Sequence, residues 1–467
     1  GARMALTHTA SLAGSDELYD ALFARLGVAR VRSIPEFDET LKMLALGGIP
    51  QGRKLAILTN SGATRTLLAD LGAEASLSFP PSSSKVAVKL RQQLPEFATV
   101  SNPLDYNAAY AGAEGLTMEN EPALRDCFAT MISDDYDIVL LSEDGLDSPE
   151  PADNLPNYPT LNAWIDAAAA RGVPAAVITM LPEKFGLGYR QICVDHQVVP
   201  LQGLEDGIKA IETAIKMGEQ RQQIMEETPW DSLLLPTIPM IDDQQGYLLD
   251  EAASKTELAK FGLPIPKFLV TTLADVQQMA EGLTFPLAVK ALGSDLAHKS
   301  RLGGVYLGVD TSQALQIATE TIERNLRQHN LVIDALLLEE MVTGARAELI
   351  IGVTYNSRFG HALLIGQGGV QVESGKPPTP LLLPVSEARL RRQVTTVITS
   401  LNLPLHTVAP VMKAVEAIVA FVEAHSRQLL ELDVNPLIVY DDGHQAIAVD
   451  GVIRWVDDTE ETGDVHG

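Results

Sequence analysis

The sequence has few cysteines, few aromatic residues and no long apolar run, and each scarcity excludes a class of protein. Its 467 residues include only Cys127 and Cys193, too few for a disulfide framework or a cysteine-based metal cluster. This cysteine usage fits a reducing cytoplasm best. No uninterrupted apolar run of about 18 residues occurs, so the sequence predicts no membrane-spanning segment. Aromatic residues make up 5% of the chain and give no hint of a ring-stacking pocket.

Positive charge is also scarce. The chain has 35 Lys and Arg against 61 Asp and Glu, a formal net charge of −26. An acidic chain repels phosphate backbones and anionic lipids, so we expect no nucleic-acid and no membrane partner. The 46% hydrophobic and 21% charged content is typical of globular proteins, and the length predicts about two to four domains.

The first residues do not read as a signal peptide, because no charged segment followed by an apolar core is present. A capped helical stretch begins almost at once, at Ser15. We therefore expect the chain to start inside a domain, as a fragment of a longer protein.

Short apolar runs alternate with helical stretches in the first half of the chain. Runs typical of buried parallel strands lie at 54–59, 137–142 and 175–180, and covering helices are predicted at 162–171 and 207–217. This alternation predicts an open α/β sheet.

A polar, proline-containing linker is predicted at 218–245, and the pattern beyond it is mixed α and β. Long helices are expected at 311–329 and 409–425. Strands are expected at 286–290, 336–340, 347–353, 362–365, 429–435 and 446–450. Glycine loops between strands favour a nucleotide-binding domain.

Two candidate sites lie in the first half. His8 stands in a loop of small residues, where an accessible imidazole is a competent nucleophile; the alternative is an inert loop histidine. The second site follows a buried strand and precedes a helix, an arrangement whose free amides bind anions; the alternative is an ordinary capped turn. Its residues are Thr59, Asn60, Ser61, Gly62 and Ala63.

The second half holds the candidate nucleotide site. Lys290 ends an apolar strand, and a basic, glycine-containing loop follows that could clamp phosphates; the alternative is a solvated charged face. The loop residues are His298, Lys299, Gly303 and Gly304.

Acidic residues complete the candidate nucleotide site. Glu340 at a strand end could take an adenine amino group, and Glu348 could take ribose hydroxyls. Asp433, Asn435 and Asp450 offer hard oxygen ligands on adjacent strands, which suit Mg²⁺; the alternative is that they cap turns.

In this order, the motifs resemble those of the ADP-forming acyl-CoA synthetases, relatives of succinyl-CoA synthetase. That family's phosphohistidine loop reads close to SHTGALAGSD, and residues 7–16 read THTASLAGSD. Its HKSDVGGV appears as HKSRLGGV at 298–305, and its ELDINPL as ELDVNPL at 431–437. Its EMV and ELIVGV segments match 340–342 and 348–353, and its NPVD segment near the acyl site resembles 102–105.

The resemblance implies an α/β multidomain protein, with a flavodoxin-like open parallel-sheet domain followed by an α+β ATP-grasp domain. The expected segments are 1–50, the end of a succinyl-CoA-ligase-like domain with the phosphohistidine loop; 51–217, the flavodoxin-like domain; 218–245, the linker; 246–460, the ATP-grasp domain; and 461–467, a tail. The family's CoA-binding domain has no counterpart before His8, so CoA is expected to bind on a missing domain or a separate subunit. Homo-oligomerisation is the other expected assembly.

The implied reaction is acid + CoA + ATP ⇌ acyl-CoA + ADP + phosphate, with a small carboxylic acid as substrate. By this resemblance His8 carries the phosphoryl group, Asp433 orients its imidazole and His298 is a second relay. The turn of residues 59–63 receives phospho-His8, and Asn435 and Asp450 hold Mg²⁺. The nucleotide-binding residues are Lys290, Lys299, Gly303, Gly304, Glu340 and Glu348.

Four departures from the family pattern are visible. Arg301 replaces an Asp, Ala10 replaces a Gly, TNSGATR at 59–65 replaces TNAGGPG, and the proline-rich 372–384 segment lacks an arginine. These changes keep two alternatives open. One is an ATP-grasp ligase that joins a carboxylate to an amine, and the other is a degenerate nucleotide- or acyl-CoA-sensing module of a larger regulated protein.

Overall fold

The computed structural model describes residues 16–106, 120–145, 158–227, 241, 246–293, 302–368, 379–441 and 444–456. These residues belong to two compact units. We call Leu26–Glu226 the parallel-sheet unit, and Gly1–Arg25 together with Glu227–Gly467 the two-sheet unit.

The first helix, α1 (Asp16–Leu26), packs against strands far along the chain rather than against its sequence neighbours. Its Leu18 and Ala21 share a small apolar cluster with Phe359 and Leu382. The Arg25 guanidinium also donates a hydrogen bond to the Leu382 carbonyl at 2.9 Å. The expected segment 1–50 is therefore divided between the two units.

The parallel-sheet unit alternates strands and helices as expected. Its helices are α2 (Ile34–Lys42), α3 (Gly62–Glu74), α4 (Ser84–Gln93), α5 (Glu121–Met131), α6 (Tyr158–Ala168), α7 (Leu187–Asp195) and α8 (Leu204–Glu227). Its strands are β1 (Leu55–Thr59), β2 (Leu104–Asp105), β3 (Ile138–Ser142), β4 (Ala175–Thr179) and β5 (Val199–Gln202). A π-helical turn, Met43–Gly47, continues α2, and a 3₁₀ turn lies at Pro182–Lys184.

All pairings in this unit are parallel, in the order β2-β1-β3-β4-β5. Strands β1, β3 and β4 are buried throughout, because helices cover both faces of the sheet. Leu58 and Val139 belong to one core, and Ile57 and Leu140 to the other. The expected open parallel sheet is confirmed, and it brings the carboxyl ends of β1, β2 and β3 to one edge.

Helix α8 extends further than its predicted range and reaches into the expected linker at 218–245. Its last turns are rich in strong helix formers, and Gln222 donates to Glu226 one turn later at 2.9 Å. Gly218 lies inside the helix, because an isolated glycine costs a helix only about 1 kcal/mol.

The two-sheet unit contains the remaining elements. Its strands are β6 (Gly246–Leu248), β7 (Phe268–Thr271), β8 (Leu287–Leu292), β9 (Val305–Val309), β10 (Ala335–Glu340), β11 (Ala347–Asn356), β12 (Gly360–Gln367), β13 (Leu381–Leu382), β14 (Leu429–Val439), β15 (Ile447–Ala448) and β16 (Val452–Val456). Its helices are α9 (Glu251–Lys260), α10 (Val276–Ala280), α11 (Ser312–Gln328), α12 (Glu387–Ser400) and α13 (Val408–Ala424), with a 3₁₀ turn at Leu405–Thr407.

Two antiparallel sheets organise these strands. The smaller sheet has the order β7-β10-β8-β9, and the larger has the order β13-β12-β11-β14-β16-β6 with β15 paired to β14. Helix α11 covers the smaller sheet through Leu315 and Ile322. Helices α12 and α13 pack on the larger sheet.

The segment Leu405–Ala424 is long and apolar enough to cross a membrane by length and composition alone. Val411, Ile418 and Phe421 of α13 lie in the core cluster against the larger sheet. Packing in the core accounts for this hydropathy.

Candidate active site

Lys290 lies near the end of β8, where three elements of the two-sheet unit meet. Its Nζ donates to Oε1 of Glu251 on α9 at 2.6 Å and to the carbonyl of Val449 at 2.8 Å. Oε1 of Glu339 on β10 lies 3.2 Å away. The side chain is buried, so its position is set by these partners rather than by solvent.

The charge state of Lys290 follows from its acidic neighbours. Burial alone would lower its pKa, but the carboxylates of Glu251, Glu339 and Asp450 outweigh that effect and raise the pKa above its usual value. The ammonium is therefore fully charged at neutral pH. A buried, charged ammonium at a strand end can bind phosphate oxygens.

Lys255 gives this group a second, fully buried ammonium. It lies one turn after Glu251 on α9, with 3.0 Å between its Nζ and Glu251 Oε1, and it also contacts Glu339. The Phe268 ring lies under the ammonium, 5.0 Å from Nζ to the ring centroid. We call Glu251, Lys255, Lys290 and Glu339 the charge cluster.

The charge cluster holds two positive and two negative groups, so the cost of burying each charge is offset by its partners. Sequence reasoning missed Glu251, Lys255 and Glu339 as site residues. The Glu251–Lys255 spacing of four on a helix was a visible signal of an ion pair, but such pairs are usually exposed. Asp250 starts this helix, since its Oδ1 accepts a hydrogen bond from the Ala253 amide at 2.7 Å.

The two adjacent carboxylates of β10 lie on opposite faces of the smaller sheet, because side chains alternate along a strand. Glu339 faces Lys290, whereas Oε1 of Glu340 accepts a hydrogen bond from the Thr284 amide at 3.0 Å. The structure therefore brings Glu339 to Lys290 and sets Glu340 on the other face of the sheet. The expected contact of Glu340 with an adenine amino group stays a prediction.

Glu348 lies at the start of β11 with an exposed side chain, and its carbonyl accepts from the Gly368 amide at 2.8 Å. It borders a cleft of about 430 Å³. The other lining residues are Arg346, Ala347, Gln367, Gly368, Leu401 and Leu403.

The end of the predicted phosphate loop is anchored beside β8. Gly303 has a φ of +71°, and its carbonyl accepts from Asn325 Nδ2 at 3.1 Å. A Cβ at Gly303 would lie 2.4 Å from that nitrogen, so only glycine fits. The Gly304 carbonyl accepts from the Ala291 amide at 2.8 Å, next to Lys290. His298 and Lys299, together with Arg301, lie outside the described residues.

Asp433 and Asn435 share one face of β14 with Glu431, since they are spaced by two. Oδ1 of Asp433 is buried with no hydrogen-bond partner within the described ranges. Burial first, and then the charges of Glu431 and Asp450, raise the pKa of Asp433 to about 7. An unpaired carboxylate oxygen among other acids is a setting that a cation would stabilise.

The donor set here fits Mg²⁺. Asn435 and Asp450 supply hard oxygen atoms, and Mg²⁺ commonly takes one or two protein ligands while keeping several waters. No group of three or more His, Cys, Asp or Glu residues placed to hold a metal occurs in the described part of the chain. Binding of Mg²⁺ by Asn435 and Asp450 stays a prediction.

The predicted anion site in the parallel-sheet unit has a strand, a turn and a helix N-terminus. Thr59 ends β1, and its Oγ1 accepts from the Ser61 amide at 3.2 Å. Ser61 caps α3 by accepting from the Thr64 amide at 3.4 Å. Asn60 lies in the turn, and Gly62 and Ala63 begin the helix. Phosphate binding at this turn stays a prediction, and His8 lies outside the described residues.

Two family models match the chain. The model described as an ATP-grasp domain matches residues 241–455, and the one described as a succinyl-CoA ligase like flavodoxin domain matches residues 1–44. The first match covers the part of the two-sheet unit that holds the charge cluster.

Known proteins similar to the chain carry related names. A 4-hydroxybutyrate–CoA ligase [ADP-forming] from Nitrosopumilus maritimus is 25% identical over 459 residues, 95% of this chain and 63% of the relative. The subunit beta of acetate–CoA ligase [ADP-forming] II from Pyrococcus furiosus is 32% identical over 221 residues, 44% of this chain and 89% of the subunit. One similar solved structure is acetyl-coenzyme A synthetase 1 from Ca. Korarchaeum cryptofilum, in complex with coenzyme A, Ca-AMPCP and HgCl+. It is 23% identical to this chain, with a TM-score of 0.41, and the match covers 44% of this chain and 93% of that chain.

The chain thus spans less than two thirds of the N. maritimus relative and nearly all of the P. furiosus subunit at 32% identity. The sequence relatives agree with the motif order, and the two family models agree with the mixed α/β architecture of the two units. The chain belongs to the family of ADP-forming acetate–CoA and acyl-CoA ligases and carries an ATP-grasp domain in its second half.

Proposed function

We propose that this chain supplies the nucleotide-binding and phosphoryl-carrying parts of an ADP-forming acyl-CoA synthetase. The reaction is acid + CoA + ATP ⇌ acyl-CoA + ADP + phosphate. The observation that carries the proposal is the buried Lys290 ammonium within β8, with Asn435 and Asp450 in the same ATP-grasp unit.

The charge cluster suits a phosphate-binding role for Lys290. Incoming phosphate oxygens compete with Glu251 and Glu339 for its ammonium, and Lys255 remains to compensate the carboxylates that Lys290 releases. Lys299, Gly303 and Gly304 complete the phosphate loop, and Glu340 and Glu348 contact the rest of the nucleotide. Asn435 and Asp450 would hold Mg²⁺, which would reduce the charge on the phosphates. Catalysis here is mostly positioning and charge neutralisation.

His8 carries the phosphoryl group between the sites. Its imidazole nitrogen forms a bond to the γ-phosphorus as the bond to the β-γ bridging oxygen breaks, which releases ADP. A carboxylate oxygen of the acid then attacks phosphorus, forming the acyl phosphate and regenerating His8. The CoA thiolate finally attacks the acyl carbon, and inorganic phosphate leaves. In this scheme Asp433 orients the imidazole, His298 is a second relay, and the turn from Thr59 to Ala63 receives phospho-His8.

The partners follow from the relatives. Two relatives are named for 4-hydroxybutyrate and acetate, which supports a small carboxylic acid as substrate. One is a separate subunit, which supports a CoA-binding domain or subunit beyond this chain as the partner. The two buried free thiols favour a cytoplasmic location.

Labelling with γ-³²P ATP and Mg²⁺ tests the proposal. We expect acid-labile, base-stable label on the chain, lost in His8→Ala and retained in His329→Ala, whose imidazole is exposed on the two-sheet unit. Label that persists in His8→Ala would show that another residue is the nucleophile. Nucleotide binding without any label would instead support a sensing module.

A further inference from the structure

Glu143 directly follows β3 at the edge of the parallel sheet where ligands commonly bind. The chain leaves β1 towards β2 and returns to β3 on the other side, so the strand order reverses between β1 and β3. In open α/β sheets, ligands bind outside the carboxyl ends of the strands at such a reversal. The Glu143 amide donates to the Ile178 carbonyl at 3.0 Å, which fixes the backbone at this point.

The Glu143 carboxyl is buried and only half satisfied. The residue is 2% exposed. The Tyr106 hydroxyl donates to its Oε2 at 2.6 Å, but Oε1 has no hydrogen-bond partner among the residues that the structure describes. Buried polar atoms in native proteins are nearly always paired, so Oε1 calls for a donor that the folded chain does not provide.

The Glu143 carboxyl has no compensating cation among the residues that the structure describes. Burial is the main cause that raises the pKa of Glu143 to about 7. Hydrogen bonding from the Tyr106 side chain, and to a smaller extent from Asn60, opposes the rise, and the charge of Asp144 adds to it. No lysine, arginine or histidine is among the groups that shift it. A hydrogen-bond donor or a positive group brought to Oε1 would therefore be strongly stabilised.

A further unpaired polar atom lies on α6. Trp164 Nε1 is buried and has no hydrogen-bond partner in the described part of the chain. Thr160 lies one turn earlier on the same helix face, and its hydrogen bonding with Tyr106 opposes the rise in the Tyr106 pKa that burial causes. The Phe128 ring packs edge-on against both Tyr106 and Trp164, at centroid distances of 4.9 and 6.2 Å. An acceptor, a hydroxyl and an indole N–H thus surround one aromatic cluster.

We propose that Glu143, with Tyr106, Thr160 and Trp164, binds a hydrogen-bond donor on the organic acid substrate, either a hydroxyl or a protonated amine. This inference rests on the proposed function and names the substrate class: an acid with a second polar group, not a simple alkanoic acid. A site built to pair a buried polar group rejects analogues that lack the partner, because the group is then left unpaired.

Calorimetry with matched acids tests this inference on the full chain. The two series are propanoate, 3-hydroxypropanoate and 3-aminopropanoate, and pentanoate, 5-hydroxypentanoate and 5-aminopentanoate. We expect the wild type to bind one donor-bearing acid at least about tenfold more tightly than its plain counterpart, as one hydrogen bond to a charged group allows.

The variants then identify the acceptor. Glu143→Met should remove the preference. Glu143→Gln, whose amide oxygen pairs with Tyr106, should keep a hydroxyl preference and lose an amine preference. Asp135→Asn, at the exposed other end of β3, should change neither. If Glu143→Met does not fold, infrared difference spectra of the wild type decide: a donor-bearing acid should shift a buried carboxyl band that the plain acid leaves in place.

Three outcomes would overturn the inference. The wild type could bind the three acids equally in both series, or its preference could persist unchanged in Glu143→Met. The third outcome is that the wild type binds none of the acids. These outcomes are separable from failure of the proposed function. Acid binding needs no phosphoryl transfer, and labelling of His8 needs no acid selectivity.

Discussion

Lys255 and Glu251 form an ion pair of 3.0 Å inside the two-sheet unit, although both lie on one helix at a spacing that usually gives a surface pair. The same Oε1 of Glu251 also accepts from Lys290 at 2.6 Å. One carboxylate oxygen therefore joins α9 to the smaller sheet. The position of the Lys290 ammonium depends on a helix that sequence reasoning had left outside the site.

Replacing Lys255 by methionine should destabilise the two-sheet unit. Glu251 and Glu339 would each lose a buried partner, and breaking a buried pair from one side costs about 3–5 kcal/mol. Urea denaturation followed by circular dichroism measures the change. The matched control is Lys260→Met on the same helix, whose pair with Glu257 is exposed and worth at most about 1 kcal/mol.

The double variant Lys255→Met with Glu339→Gln should recover part of that loss, because the second change removes an unpaired buried charge. We expect a coupling energy of about 1 kcal/mol or more. Strictly additive effects would show that the two side chains do not compensate one another.

Asp450→Asn should weaken the binding of Mg-ADP by about tenfold, because one hard oxygen ligand of Mg²⁺ is lost. The binding of metal-free ADP should be nearly unchanged. Isothermal titration calorimetry with and without Mg²⁺ measures both affinities. Asp441→Asn is the control, since Asp441 is exposed and lies 3.5 Å from the Arg346 guanidinium. An equal loss with and without the metal would mean that Asp450 acts through the charge of Lys290 instead.

The buried carboxyl of Glu143 should make stability depend on pH. Its pKa rises from an ordinary value of 4.5 to about 7, so protonated Glu143 stabilises the fold fully below about pH 4.5. This contribution is lost as the pH rises through 7. The groups that face it are Tyr106, Asn60, Asp144 and, from α7, Tyr189.

Glu143→Gln removes this titration. Between pH 5 and 8 its free energy of unfolding should rise by about 2–3 kcal/mol relative to that of the wild type. Chemical denaturation at several pH values measures the difference. A difference that stays constant across this range would place the Glu143 pKa near its ordinary value.

Glu339 and Glu340 show where sequence reasoning reaches its limit in this site. They are adjacent and chemically identical, and either could have faced Lys290. Strand alternation puts them on opposite faces, but the sequence does not say which face packs against α9. Pairing of β10 with β8 settles the choice, since it sets Glu339 beside Lys290.

Three strands of the parallel sheet, β1, β3 and β4, were predictable to within a residue or so, because a strand covered on both faces is a continuous apolar run. The expected runs at 54–59, 137–142 and 175–180 are β1, β3 and β4. Two-residue β2 carries no such pattern, and it became visible only through its pairing with β1. The polar, charged sequence of α9 likewise gave no sign that Glu251 would be buried.

The order of motifs, the strand–helix alternation and the Lys290 strand end were determined by the sequence alone, because each is a local pattern of side-chain type and spacing. Only the tertiary structure decided which carboxylates surround Lys290, that α1 packs on strands hundreds of residues away, and that Glu143 is buried beside Tyr106. These contacts join positions distant in the chain. Periodicity encodes which face of an element is apolar, whereas the partner of a buried charge depends on how the elements pack.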